Sequence, residues 1–160
     1  MRSPPRGQNA RMRAFGDEIW RIALRRDVAA LRRAAALLER EAPEPTYDAH
    51  RALAFALAVE GRAEEALADL AAGATEGWPF AAGLAVDQAR VWHLAGDGAR
   101  ALAALDEAAR GADRTDPAVV ELASLVVSRE PGLRRRALAI VLSGGTAWQR
   151  VRGAAAVAAA

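Results

Sequence analysis

Residues 47–81 read YDAHRALAFALAVEGRAEEALADLAAGATEGWPFA. Ala52 to Val59 is an uncharged, alanine-rich run, and Gly61 interrupts it. A second run then carries Ala63, Ala66, Leu67 and Leu70 among acids before Gly73, Gly77 and Pro79 close the stretch. Alanine is the best helix former, and glycine supplies the backbone freedom of a tight turn. The stretch predicts two helices, Tyr47–Val59 and Arg62–Ala72, folded back on one another. Breakers divide the rest of the chain into segments of similar length.

Upstream, Met12, Phe15, Ile19 and Ile22 form an apolar stripe on a helix from about Gln8 to Arg25. Asp27 stands as an N-cap for a helix over Val28–Glu41, which Pro43 and Pro45 end. Downstream, helices are predicted over Phe80–Leu94 and Gly98–Arg110. Another runs from the Asp116–Pro117 start to Arg129, and a further one, Leu133–Leu142, follows the Pro131–Gly132 break. Thr146 begins a last short helix through Trp148 and Val151.

Helix pairs of constant length call for a repeat search. Shifting the chain by 35 residues aligns Ile22, Leu57, Trp92 and Val127 in a large apolar column, which predicts Trp92 as a core residue. Ile19, Ala54, Ala89 and Ser124 form a mostly small column, as close helix approach requires. In the second helix of each pair Ala30, Ala66, Ala101 and Ala137 recur, each followed by Leu. Gly61, Gly96 and Gly132 stand five residues before the last three, with Arg25 at that place in the first unit.

Small residues in the first helix, a turn glycine, Ala-Leu in the second and a closing proline resemble the tetratricopeptide repeat. Leu53, Ala54, Leu57, Gly61, Ala66, Leu70, Ala74 and Pro79 carry the resemblance in the second unit, and Ala89, Trp92, Gly96, Ala101, Leu105 and Ala108 carry it in the third. The outer units, 12–46 and 117–151, are degenerate, as the caps of a repeat stack often are. The resemblance implies an all-α fold, a right-handed superhelical stack of about four antiparallel helix pairs. The expected organisation is a flexible arm at 1–11, the repeat domain at 12–151 and an Ala-rich tail at 152–160.

Composition narrows the chemistry. The chain has no cysteine, which excludes a disulfide framework, a thiolate metal site and a cysteine nucleophile. Its two histidines, His50 and His93, are too far apart in sequence for the close-spaced zinc patterns. No metal or other cofactor is expected, and no catalysis, because no nucleophile stands at helical spacing from His93. With no signal-peptide run and no apolar membrane span in the sequence, the expected location is the cytoplasm.

All 22 basic residues are arginine, the usage of a GC-rich coding bias. Residues 1–40 carry ten Arg against four acids, 41–121 six against fifteen, and 122–160 six against one. This layout could steer a partner.

In a tetratricopeptide-like stack the first helix of each pair lines the concave face. Trp20, Arg51, Phe55, Arg90, His93 and Leu125 are the residues expected there. Aromatic and arginine side chains are common interface anchors. The expected function is a non-catalytic scaffold for a protein or an extended peptide. Phe55 stands where the family's carboxylate-clamp version has asparagine, so that clamp's acidic-tail ligand does not carry over. The alternative is a nucleic-acid-binding adaptor, or accessory domain of a regulator, using the arginine-rich ends around Arg32, Arg33 and Arg134–Arg136. Self-association through the apolar ends of the stack is a further expectation.

Overall fold

A computed structural model describes residues 17–41, 46–75, 81–111, 117–143 and 147–160. The described residues are all helical, with no strand among them. In chain order the helices are α1 (17–24), α2 (Val28–Glu41), α3 (Tyr47–Val59), α4 (Ala63–Thr75), α5 (Ala81–Ala95), α6 (Gly98–Gly111), α7 (Pro117–Arg129), α8 (Arg134–Leu142) and α9 (Ala147–Ala159). A single 3-10 turn, Pro131–Leu133, precedes α8. The chain forms two compact units, Met1–Gly77 and Trp78–Ala160.

In the first unit α3 packs against both α2 and α4. Trp20 of α1 also meets Phe55 of α3 edge-on, with ring centroids 5.7 Å apart. Consecutive residues Ala54 to Ala58 are all buried, so α3 is covered around its whole circumference. Small side chains make that enclosure feasible, because alanine lets neighbouring helices approach on every side. Gly73, expected as a breaker, lies inside α4. A Cβ there would stand 2.7 Å from His50 Cβ and ring atoms, so glycine allows α4 to press on α3.

In the second unit α5 pairs with α6, and α7 touches α5, α6, α8 and α9. Val91, Leu102, Leu105, Leu122, Val126, Val127 and Val157 are its largest fully enclosed aliphatic side chains. Helix α9 spans both the expected last helix and the Ala-rich tail, with Val157 buried near its end. Gly153 brings α9 onto α8 and α7: a Cβ there would collide with Val141 Cγ1 and fall 3.4 Å from Val120 Cγ2.

The 35-residue period is present in the backbone itself. Arg26, Gly61 and Gly96 are the three described residues with positive φ, at 57°, 82° and 89°. Each ends its helix with the same pair of hydrogen bonds. The left-handed residue donates to the carbonyl three residues back: Arg26 to Ala23, Gly61 to Ala58, Gly96 to His93. The following residue donates to the carbonyl five back: Asp27 to Ile22, Arg62 to Leu57, Asp97 to Trp92. This is the Schellman termination, which satisfies carbonyls left open at a helix end. The next helix then starts alike each time, with Leu31, Ala66 and Ala101 donating to Asp27, Arg62 and Asp97. Asp27 and Asp97 cap it through side-chain oxygens that accept from Ala30 N and Arg100 N, both at 2.9 Å.

These turns correct the expected register. The turn residue of the first unit is Arg26, not Arg25, and Leu31, not Ala30, fills the fully buried place held by Ala66 and Ala101. The fourth connection differs. Proline occupies position 131, where its ring fixes φ near −65° and forbids the left-handed conformation. The chain takes a 3-10 turn instead, Gly132 has an ordinary φ, and the buried alanine arrives one residue late, at Ala137. Trp92, expected in the core, is only partly buried, and the Arg100 guanidinium lies 4.5 Å from its ring centroid.

Candidate functional site

Sequence periodicity nominates Trp20, Arg51, Phe55, Arg90, His93 and Leu125. The structure brings the first three together within the first unit. The Arg51 guanidinium lies over the Phe55 ring, 5.6 Å from its centroid, and Trp20 meets the same ring edge-on. Arg51 also approaches Asp48, one turn earlier, at 3.7 Å. Phe55 is fully enclosed and Trp20 is 4 % exposed, whereas the Arg51 side chain keeps 11 %. Trp20 and Phe55 are therefore placed as packing beneath Arg51, and of the three Arg51 retains the most access. The physical reason is the enclosure of α3 by α2, α4 and α1, which covers the side of α3 expected to stay open.

Within the second unit Arg90 and His93 share the buried part of α5 with Asp87. Arg90 Nη1 donates to Asp87 Oδ1 at 2.9 Å, one helical turn away. Arg90 and His93 are 8 % and 7 % exposed. A buried arginine–carboxylate pair costs desolvation that its own attraction must offset, and removing one partner leaves a buried charge. His93 also lends its backbone carbonyl to Arg129 Nη1 at 2.9 Å, tying α5 to α7. Leu125, on α7, is partly buried.

Three polar features escaped the sequence reading. His50 Nδ1 lies 3.1 Å from Asp69 Oδ1, with both side chains about one-fifth exposed. The two residues sit on opposite arms of the α3–α4 hairpin, so no local motif announces them. Glu130 Oε1 accepts from Gly98 N at 2.9 Å and caps α6 from the end of α7. Arg32 forms a two-pronged contact with Glu60, at 3.0 and 2.9 Å. On the surface Arg62 holds Glu65 through a 2.8 Å bond from Nε. That hydrogen bond, more than simple attraction, keeps the Glu65 carboxyl below the ordinary carboxylate range and raises the Arg62 guanidinium.

These groups can orient helices and hold ion pairs. Among the described residues no cluster of three or more His, Asp or Glu is placed to bind a metal ion. Among them, too, no helix is long and apolar enough to cross a membrane.

Most of the described arginines have partners, with Arg26 and Arg129 donating to the Val59 and His93 carbonyls. Arg21 and Arg25 pair with Glu18, Arg32 and Arg62 with Glu60, Arg40 with Glu41, Arg51 with Asp48, Arg90 with Asp87, Arg100 with Asp97, and Arg110 with Asp106. The side chains of Arg33, Arg134, Arg135, Arg136 and Arg152 are exposed and form no ion pair or hydrogen bond among the described residues. Comparison with protein-family models, with curated proteins and with solved structures finds no match for the chain.

Proposed function

We propose that the protein is a non-catalytic scaffold built from tetratricopeptide-like helix pairs, and that it binds a protein or an extended peptide. The observation that carries the reading is the recurrence of one helix-ending turn at Arg26, Gly61 and Gly96, at 35-residue intervals. A helical unit repeated with the same turn is a modular way to present surface, and stacks of such units serve as extended binding faces. Packing of α3 between its sequence neighbours, and of α5 against α6, fits the same plan. Each unit is assigned its own contact residue, the nominated one that keeps access: Arg51 in the first unit, Leu125 in the second. Trp20, Phe55, Arg90 and His93 hold the helices that present them. The cytoplasm is the proposed location.

The test is affinity capture on the immobilised full chain from the source lysate after nuclease treatment. Mass spectrometry identifies the retained protein, and calorimetry with the two purified components follows. The reading predicts a direct complex weakened about tenfold or more by Arg51→Ala or by Leu125→Ala, with thermal stability close to that of the parent. Loss of all retained protein on nuclease treatment contradicts it. So does a reconstituted complex indifferent to both substitutions.

A further inference from the structure

Residues 131–160 contain five arginines and no acidic residue. They form the 3-10 turn and the α8–α9 pair, which pack on each other and on α7. Arg134, Arg135 and Arg136 are the first three residues of α8, and all are exposed. At a rise of about 1.5 Å per residue their side chains spring from within about 3 Å of one another along the helix axis. Three like charges there repel each other. They also stand at the positive end of the helix dipole, where cations are disfavoured. The nearest acid in sequence, Glu130, is engaged at Gly98 N. On α9, Arg150 and Arg152 are exposed too. Gly153 and Val157 are buried against the rest of the unit, and Arg152 stands exposed on the same helix. The patch is the arginine side chains on two adjoining helices, and Arg134, Arg135, Arg136 and Arg152 form no ion pair among the described residues.

We propose that this arginine patch on α8–α9 binds the phosphodiester backbone of a nucleic acid. Guanidinium groups match phosphate oxygens in planar, forked hydrogen bonds, and several unpaired ones on two helices fit a ligand with regularly repeated charge better than a single small anion. A lipid surface fits less well. Interfacial helices bury a continuous face of Trp, Phe and Leu in the bilayer, whereas among the described side chains of α8 and α9 the exposed large apolar ones are Leu142 and Val151, Val157 is buried, and the exposed positions 155, 156, 158 and 159 are alanine. The patch shares no residue with the protein contact proposed above. The N-terminal arginine cluster differs in that Arg21, Arg25, Arg32 and Arg40 each have a carboxylate neighbour, which leaves Arg33 as its exposed side chain with no ion pair among the described residues.

The experiment is fluorescence anisotropy of the full chain with a labelled DNA duplex of about 20 base pairs, from about 50 to 200 mM salt, a range over which phosphate contacts weaken steeply. Four or so phosphate contacts predict a log–log salt slope of about −3 to −4. The Arg134→Gln/Arg135→Gln/Arg136→Gln/Arg152→Gln variant is expected to lose affinity at least tenfold and to flatten the slope, with an unchanged melting curve. An Arg21→Gln/Arg25→Gln/Arg32→Gln/Arg40→Gln variant removes the same net charge and is expected to bind within about threefold of the parent. No binding at the lowest salt overturns the proposal, as does equal loss in both variants. Equal or tighter binding to polyglutamate, or to phosphatidylserine vesicles with no duplex binding, also overturns it and transfers the patch to an acidic protein or a membrane.

Discussion

The turn at Gly96 and the connection at Pro131 lie 35 residues apart, and each follows a helix that enters the same core, yet the chain passes them differently. At Gly96 one left-handed residue closes α5 with two hydrogen bonds, and Asp97 at once caps α6. At Pro131 that conformation is closed to the backbone, a 3-10 turn intervenes, and α8 begins with no side-chain cap behind three arginines. The repeated region is therefore locally self-consistent: turn, cap and ion pairs agree with its packing. The C-terminal region is held by tertiary contact, through Gly153 and Val157, and carries charges that its own fold does not satisfy. Locally satisfied structure points to architecture, and unsatisfied charge at the surface points to a ligand.

Substitutions can break or sharpen that contrast. The largest effect is expected in the repeated region at Phe55, fully enclosed and in contact with Trp20 and Arg51. Phe55→Ala should cost about 3–5 kcal/mol in chemical denaturation, the range for emptying a buried aromatic site. In the C-terminal region Gly153→Ala should cost about 1–3 kcal/mol, because the new methyl meets Val141 and overpacking outweighs the gain in helix propensity. Val141→Ala in the same background should restore part of the loss, and a double-mutant cycle reads the coupling.

At the turns the effect is smaller and purely backbone. Nothing lies within 4 Å of a Cβ placed at Gly61 or Gly96, so Gly61→Ala and Gly96→Ala should each cost about 1–2 kcal/mol from the left-handed conformation alone. Gly132→Ala, at an ordinary φ with open space around it, should be neutral or slightly stabilising in the same melts.

The smallest effect concerns the exposed Arg62–Glu65 pair. A carboxyl held below its ordinary range contributes stability at neutral pH and loses it as pH falls through the lowered value. Arg62→Ala should therefore move the Glu65 titration upward, by NMR, and remove that part of the acid dependence.

Much of the fold was legible because glycines punctuate it. Gly61 and Gly96 mark turns that only a residue tolerant of positive φ can make cheaply, and Asp27 marks its cap. Arg26 was harder to find, since arginine carries no signal for a left-handed turn; the unit's hydrogen bonds reveal it. Gly73 misled in the other direction, because a glycine that ends a helix and one that admits a neighbour look the same in sequence. The residues expected on the concave face were legible as a column but not as a surface. Spacing says that Trp20, Phe55 and Arg90 share a helical position. It cannot say which sides of α3 or α5 their neighbours will cover, and five successive small or apolar residues, Ala54 to Ala58, allow covering from all of them. Arg134–Arg136 were legible as an arginine-rich end, but that their side chains are unpaired, like that of Arg152, is seen only beside the ion pairs elsewhere.

The central claim is that the 35-residue period is one turn used three times, including where no glycine marks it. The most direct measurement is the backbone φ of Arg26, Gly61 and Gly96 in solution, from NMR couplings and chemical shifts. The account predicts positive φ at all three, with protected amides at Asp27, Arg62 and Asp97. A helical or extended Arg26, with an exchanging Asp27 amide, would contradict it.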